Sequence, residues 1–72
     1  MNDIHVYQIR IQGQVDENEI NSRSPLNLSV EQAGPTTTLL SVCTDQSGLI
    51  GLIRHLHGLG LVFLSIICTG EE

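Results

Sequence analysis

The segment from Asp45 to Cys68 constrains the fold of this chain more than any other, because it specifies a helix, a stop and a strand in direct succession. Asp45 can cap the helix by accepting a hydrogen bond from a backbone N–H of the first turn. Gly60 can adopt the left-handed conformation that ends a helix, with Leu56 and Leu61 as the hydrophobic pair that accompanies such a stop. The strand that follows is apolar at nearly every position up to Cys68. The C-terminal part of the chain is therefore predicted to form one helix–strand unit.

Helical spacing divides the predicted helix into a core-facing stripe and a flank that contains glycines. Gly48 and Gly51 fall on this flank together with His55. Each glycine inside a helix costs up to about 1 kcal/mol relative to alanine. We therefore expect this flank to be approached closely, either by a loop or strand of the same chain or by a second helix or a ligand. The core-facing stripe is apolar throughout and consists of Leu49, Leu52, Ile53, Leu56 and Leu59.

Three strands are predicted before the helix from the alternation of apolar and polar side chains. Gly13 lies on the inner face of the first strand, where it favours a bulge or a close approach. The polar segment 16–25 is interpreted as a loop, and Gly34 and Pro35 predict a tight reversal before the third strand. The strands are expected at residues 5–15, 26–31 and 37–43, with Thr38, Leu40 and Val42 pointing inward.

The expected fold class is α+β, with a three-stranded antiparallel meander, one helix and then a fourth strand (β-β-β-α-β). The helix is expected to pack on one face of a four-stranded sheet. Residues 1–72 are expected to form a single domain, because a chain of this length supports only one core. A crossover through the helix returns the fourth strand parallel to the third. In an antiparallel meander the first strand is parallel to the third as well, so the fourth strand can pair in parallel beside the first. This favours the strand order 3-2-1-4, and pairing of the fourth strand beside the third is the alternative.

Composition argues against nucleic acid and membrane partners. The formal net charge is −5, there is no lysine, and the three arginines are scattered along the chain. Binding of DNA or RNA needs a basic face, and anionic membrane surfaces attract basic segments. Residues 49–68 are long enough for a membrane span, but Arg54 and two glycines interrupt them. No secretory signal is evident at the N-terminus, so we expect a cytoplasmic protein with reduced thiols.

Four segments of the chain resemble a group of short uncharacterised bacterial proteins. In that group the C-terminal half begins with Asp-Gln and continues through a leucine-rich helix into Leu-Gly-Leu and Leu-Ser-Val. The resemblance covers most of the chain and implies the strand-strand-strand-helix-strand order, but it implies no activity, cofactor or site residue. The chain departs from the pattern at Gly48, where alanine is usual, at Val62, where proline is common, and in 16–25, which lacks an aromatic residue. The matching segments are 7–13, 37–40, 45–46 and 49–65.

Residues that could carry chemistry are few. His55 and His57 are two apart on a helix and are rotated by about 200° from each other (about 160° by the shorter way), so they cannot bind one ion together. Cys43 and Cys68 end the third and fourth strands; they could pair, or join His55 at a metal, if those ends were adjacent, but we interpret them as half-buried thiols. Cys43, His55 and Asp45 are the only set resembling a nucleophile, base and orienting residue, and Asp45 is better explained as the helix cap. We therefore expect no catalytic residues, no metal site and no cofactor.

The fourth strand predicts a homodimer. A strand with one buried face alternates in polarity, whereas only Ser65 is polar between residues 61 and 68. Near-continuous apolar strands are buried on both faces, and one helix covers only one face. A second copy is therefore expected, along the strand edge or on the open face, and a monomer whose 16–25 loop covers that face is the alternative. The predicted interface consists of Leu39, Leu61, Phe63, Ser65 and Ile67.

Two function hypotheses follow from these observations. The first is a small non-enzymatic homodimeric module for interaction or regulation, whose partner is a second copy of itself, with another protein as a further candidate. The alternative is a sensor that binds a small ligand or a metal between helix and sheet, near His55, the helix glycines and the two cysteines.

Overall fold

The computed structural model describes residues 4–71 of the chain. All four strands belong to one sheet with the order β2-β3-β1-β4, and each neighbouring pair is antiparallel. The expected α+β class and the four-stranded sheet are confirmed. The elements in chain order are β1 (His5–Gln12), α1 (Glu17–Arg23), β2 (Ser29–Ala33), β3 (Thr37–Thr44), α2 (Gln46–Gly58) and β4 (Phe63–Glu71).

Each helix connects two strands that are not neighbours in the sheet. α1 joins β1 to β2, and β3 lies between those two strands; α2 joins β3 to β4, and β1 lies between them. Two β-α-β units are therefore interleaved. This is the split β-α-β arrangement of ferredoxin-like folds.

The structure corrects the predicted meander and the predicted order 3-2-1-4. β1 and β2 do not form a hairpin, because the chain between them contains α1 and returns parallel to β1 with β3 in between. β4 does pair beside β1, as expected, and runs parallel to β3. Its direction relative to β1 is antiparallel, however, because β1 is itself antiparallel to β3.

The helix α1 lies where a loop was predicted. Its start has a recognisable capping pattern: the Asp16 carboxylate accepts a hydrogen bond from the backbone N–H of Glu19 at 3.1 Å. Ser24 is its C-cap, and Pro25 follows. Ile20 is its only buried residue. A seven-residue helix with one core side chain has too little apolar periodicity to stand out in the sequence.

The core lies between the sheet and the two helices, which share one face. Both central strands and both helices contribute to one apolar cluster, so the helical layer covers a single side of the sheet. The predicted inward residues of the third strand are confirmed as buried. The buried apolar residues are Tyr7, Ile9, Ile11, Ile20, Leu28, Leu40, Val42, Leu49, Leu52 and Leu56.

Thr38 is a fully buried polar residue whose hydroxyl forms hydrogen bonds with the backbone just after the end of β1. Its hydroxyl donates to the carbonyl oxygen of Gly13 at 2.7 Å and accepts from the N–H of Val15 at 3.2 Å. Gly13 has φ of 96°, a left-handed conformation that favours glycine. The chain therefore leaves the sheet after Gln12, three residues before the predicted strand end.

Both predicted ends of α2 are confirmed. The Asp45 carboxylate accepts a hydrogen bond from the N–H of Gly48 at 2.7 Å. At the other end, Gly60 has φ of 92°, and the N–H of Leu61 donates to the carbonyl oxygen of Leu56 at 3.3 Å. These are the features of a Schellman stop.

The core-facing stripe of α2 is confirmed except at its last member. Leu49, Leu52 and Leu56 are buried, and Ile53 packs against them at the margin of the core. Leu59 was expected in the same stripe but is 42% exposed. It is the C-cap residue, so the chain is already turning away from the helix axis at this point.

Candidate interaction surface

β4 lies at one edge of the sheet, and within the described residues it pairs with β1 alone. Its register with β1 shifts twice, which leaves Leu64 and Thr69 as extra residues on the β4 side. Between these bulges the segment 65–68 pairs regularly. The outward backbone N–H and C=O groups of an edge strand form a template for another chain.

Apolar side chains are exposed on both faces of β4. Ile66 lies opposite Ile9 on the helix-covered face and is 39% exposed, while Ile67 lies opposite Gln8 on the other face and is 54% exposed. Leu64, at the bulge, is 49% exposed. The helical layer therefore does not reach over the β4 edge, and this edge combines free backbone groups with apolar side chains.

The other edge strand, β2, is protected. It has only five residues, and its register with β3 shifts between Val30 and Gln32. The N–H of Val30 is already occupied, because it donates to the carboxylate of Glu17 in α1 at 2.8 Å. A short strand, a bulge and an acidic cover are the usual means of blocking edge-to-edge association. β4 has the bulges but no charged residue from Phe63 to Gly70.

The predicted interface residues are divided between the two faces of the sheet. Ser65 and Ile67 lie on the open face, which is the sheet face opposite the helices, and Leu39 lies there too, as the cross-strand partner of Arg10. Phe63, in contrast, lies opposite Ile11 and packs against the core.

Leu61 also packs against the core. Leu61 and Phe63 were predicted to lie in the interface together with Ser65 and Ile67, and the structure corrects this because both pack against the core. The cause is the bulge at Leu64, which reverses the alternation between Phe63 and Ser65. Ile66 lies on the helix-covered face, as simple alternation implies, but it is exposed because the helices do not reach over the β4 edge.

The open face is mixed in polarity and has Arg10 near its centre. The cross-strand partners of Arg10 are Leu39 on β3 and Ser65 on β4, neither of which is acidic. The other residues that alternate onto this face from the two central strands include Gln8, Gln12 and Ser41. Val6, Leu39 and Cys43 lie on the same face, so its central strands present both polar and apolar side chains.

The predicted close-approach flank of α2 separates into three different environments. A Cβ at Gly48 would collide with the hydroxyl of Thr44, so this glycine permits tight packing of the helix on the end of β3. A Cβ at Gly51 would meet nothing within 4 Å. His55 is exposed, and its ring Nε2–H donates to the carbonyl oxygen of Arg23 at the end of α1. Close approach is thus an intramolecular contact at Gly48 and His55 and does not occur at Gly51.

The candidate chemical groups are not assembled into a site. Cys43 and Cys68 are free and exposed. Cys43 lies on the open face of the sheet, in β3, and Cys68 lies on the helix-covered face, in β4, with β1 between these two strands. Among residues 4–71 no three His, Cys, Asp or Glu side chains are placed to hold a metal ion. The carboxylate of Asp45 is engaged as the α2 cap. Nothing in this arrangement joins Cys43, His55 and Asp45 as a nucleophile, base and orienting group.

Charge is unevenly distributed over the molecule. Residues 46–70 contain no Asp or Glu, although the chain has eight acidic residues in total. Half of the acidic residues lie in α1, its N-cap and β2, at the opposite edge of the sheet: Asp16, Glu17, Glu19 and Glu31. Between the α2 cap Asp45 and Glu71 at the end of β4, the α2–β4 side carries no carboxylate, whereas the β2 side is acidic.

A shallow groove of about 220 Å³ lies between α1 and the connection from α2 to β4. Its wall on the α1 side bears Glu19 and Arg23, and its apolar part includes Ile20, Leu59 and Leu61. This is not the predicted position beside the helix glycines and cysteines. The groove combines two carboxylates, those of Asp16 and Glu19, and the guanidinium of Arg23 with an apolar floor.

The fold and its two edges define the class of protein. It is a small α+β domain with interleaved β-α-β units, one protected edge strand and one exposed apolar edge strand. Residues 6–67 match the family model described as Domain of unknown function (DUF8691). The chain therefore belongs to this family of small domains, whose description names no activity. Neither the curated proteins nor the solved structures yielded a significant match.

In residues 4–71 no helix has both the length and the apolar character needed to cross a membrane. The apolar run of residues 49–68 is instead divided between α2 and β4.

Proposed function

We propose that this protein is a small non-enzymatic homodimeric interaction module that associates through the edge of β4. The observation that carries the proposal is the combination, on one edge strand, of unpaired backbone groups with the exposed side chains of Leu64, Ile66 and Ile67. A two-fold partner would pair those backbone groups and cover the apolar side chains together. We expect it to act in the cytoplasm, where Cys43 and Cys68 remain reduced thiols.

The charge distribution supports association at this edge. A protein with net charge −5 repels its own copies. The α2–β4 side carries no carboxylate from residue 46 to residue 70, and the acidic α1–β2 side is at the far edge. Joining two copies through β4 therefore keeps the acidic sides apart, at the two ends of the assembly.

Edge-to-edge pairing is favoured over stacking of two open faces. Stacking about a two-fold axis near the centre of this face would bring Arg10 close to its counterpart, while its cross-strand neighbours Leu39 and Ser65 offer no carboxylate to pair with it. Unpaired like charges at an interface disfavour association. Pairing at β4 instead leaves Arg10 in solvent.

Sedimentation velocity of the purified protein at tens of micromolar tests the proposal. We expect wild type to sediment as a dimer and Ile67→Lys to sediment as a monomer that keeps its far-UV circular dichroism, because a lysine on an edge strand opposes strand addition. Leu59→Lys is the matched control, since Leu59 is comparably exposed but lies on the side of α2 that faces α1. This control should remain dimeric.

A monomeric wild type at these concentrations would refute the homodimer. A dimer that survives Ile67→Lys unchanged would place the interface away from the open-face side of β4. Phe63→Glu would not separate loss of the dimer from loss of the fold, because Phe63 packs against the core.

A second candidate function rests on the groove between α1 and the α2–β4 connection. Its carboxylates at Asp16 and Glu19 and its guanidinium at Arg23 lie beside the apolar Leu61, a lining that suits a small zwitterion with an aliphatic side chain. A thermal-shift screen of aliphatic amino acids tests it. We expect a rise in melting temperature that Arg23→Gln abolishes, and the absence of any shift at millimolar ligand would exclude this function.

A further inference from the structure

We infer that the β4 interface has a second layer, in which the outer flank of α2 packs against the same flank of a second copy of the chain. The outer flank is defined here as Ile50, Ile53 and His57. This inference rests on the proposed homodimer and adds to it the helical surface that would make the association specific.

The orientation of α2 follows from contacts with α1. α1 lies on the β2 side of the molecule. The side-chain amide of Asn21 forms hydrogen bonds with the backbone of Leu28 just before β2, and the carboxylate of Glu17 accepts one from the N–H of Val30 within β2. The side chain of His55 in α2 reaches the carbonyl oxygen of Arg23 in α1. The flank of α2 that bears His55 therefore faces α1 and β2.

The opposite flank of α2 faces the β4 edge. At 100° per residue, Ile53 and His57 lie about 160° from His55 around the helix, and Ile50 lies about 140° from it. Ile50 is 46% exposed and Ile53 packs at the margin of the core. An apolar strip thus runs from the outer flank of α2 to the exposed Ile66 on the same face of the sheet.

Symmetry places two such strips next to each other. Every strand pair of the sheet is antiparallel. Antiparallel pairing of β4 with its counterpart uses a two-fold axis perpendicular to the sheet, and this operation keeps all helices on one face. The two α2 helices then flank the seam between the β4 strands, with their outer flanks facing each other and Ile66 beneath them.

The amount of surface that a stable dimer needs supports this second layer. Specific interfaces bury about 800 Å² per partner and involve about 20–30 residues a side. β4 has nine residues, so the strand edge by itself falls well short of this size. α2 supplies further surface without electrostatic repulsion between acids, because residues 46–58 contain no Asp or Glu.

A charge-exchange experiment at Ile50 tests the inference. Ile50→Glu and Ile50→Lys are each expected to weaken the dimer at least about tenfold in dissociation constant, measured by sedimentation equilibrium. An equimolar mixture of the two variants should restore association as a heterodimer, because the opposite charges then face each other across the seam. Leu59→Glu is the matched control, since Leu59 is 42% exposed but lies on the α1 side of the helix, and its dimer should be unchanged.

The outcomes separate this inference from the proposal beneath it. A monomeric wild type would overturn both. A dimeric wild type whose association is unaffected by Ile50→Glu would overturn the helix layer and leave the β4 dimer standing. Weakened single variants that fail to associate when mixed would also overturn it, because Ile50 would then not face its counterpart. Circular dichroism checks folding, and Ile50→Gln, which adds no charge, should weaken the dimer less than either charged variant.

Discussion

Glycine at a single position can either stabilise or weaken this fold, depending on its backbone conformation. Gly60 has φ of 92° and ends α2, whereas Gly51 is an exposed residue inside the helix with open space around it. A left-handed residue tolerates no Cβ without strain. At a right-handed helical position, replacing glycine by alanine stabilises the fold, because the added Cβ restricts the backbone of the unfolded chain and so reduces the entropy lost on folding.

Alanine substitutions at these two glycines should therefore have opposite effects. We expect Gly60→Ala to lower the free energy of unfolding by about 1 kcal/mol or more, and Gly51→Ala to raise it by up to about 1 kcal/mol. Urea denaturation followed by circular dichroism measures both. An unchanged midpoint for Gly60→Ala would contradict the left-handed stop.

At the scale of the element, α1 is held in place by backbone-like hydrogen bonds from side chains. The Asn21 side chain donates to the carbonyl oxygen of Leu28 at 2.9 Å and accepts from its N–H at 2.7 Å, as a neighbouring strand would. Leu28 is only 3% exposed. The backbone groups that precede β2 therefore depend on one amide side chain.

Removing this amide should detach α1 from the sheet. We expect Asn21→Ala to cost about 1–3 kcal/mol of stability, because the N–H of the buried Leu28 loses its partner. Asn18→Ala is the control on the same helix; Asn18 is exposed, and its replacement should change stability by less than about 0.5 kcal/mol. Thermal unfolding of the two variants provides the comparison, and equal losses would refute the role of Asn21.

At the scale of the whole molecule, the small size of the chain makes association part of its stability. A domain of about 70 residues builds a core that rarely supplies more than about 3–5 kcal/mol. A dimer that binds only the folded state adds to this stability by mass action.

The proposed dimer therefore predicts a melting temperature that depends on protein concentration. We expect the melting temperature of wild type to rise over a hundredfold range of concentration, and that of Ile67→Lys to stay constant. Differential scanning calorimetry measures both. A constant melting temperature for wild type would count against a dimer that is coupled to folding.

Local signals were sufficient to predict α2 in detail and insufficient to predict α1. The cap at Asp45 and the stop at Gly60 act within a few residues of where they are encoded, so the sequence specifies them directly. α1 has a comparable cap at Asp16 but buries only Ile20. Its packing on the sheet depends on hydrogen bonds that Asn21 and Glu17 accept from the backbone N–H groups of Leu28, just before β2, and Val30, within β2. No local sequence pattern reveals these contacts.

The sequence by itself determined that there are four strands, the helix α2 with its capped ends and the inward residues of β3, because these follow from periodicity and from hydrogen bonds between near neighbours. It did not determine the bounds of β2, which was expected at residues 26–31 and is Ser29–Ala33. Only the tertiary structure decided the strand order, because the interleaved arrangement depends on where α1 carries the chain. It also decided that Phe63 turns toward the core, because the extra residue at Leu64 reverses the alternation between Phe63 and Ser65. Strand order and register are set by contacts between distant segments, and a single bulge moves side chains from one face to the other.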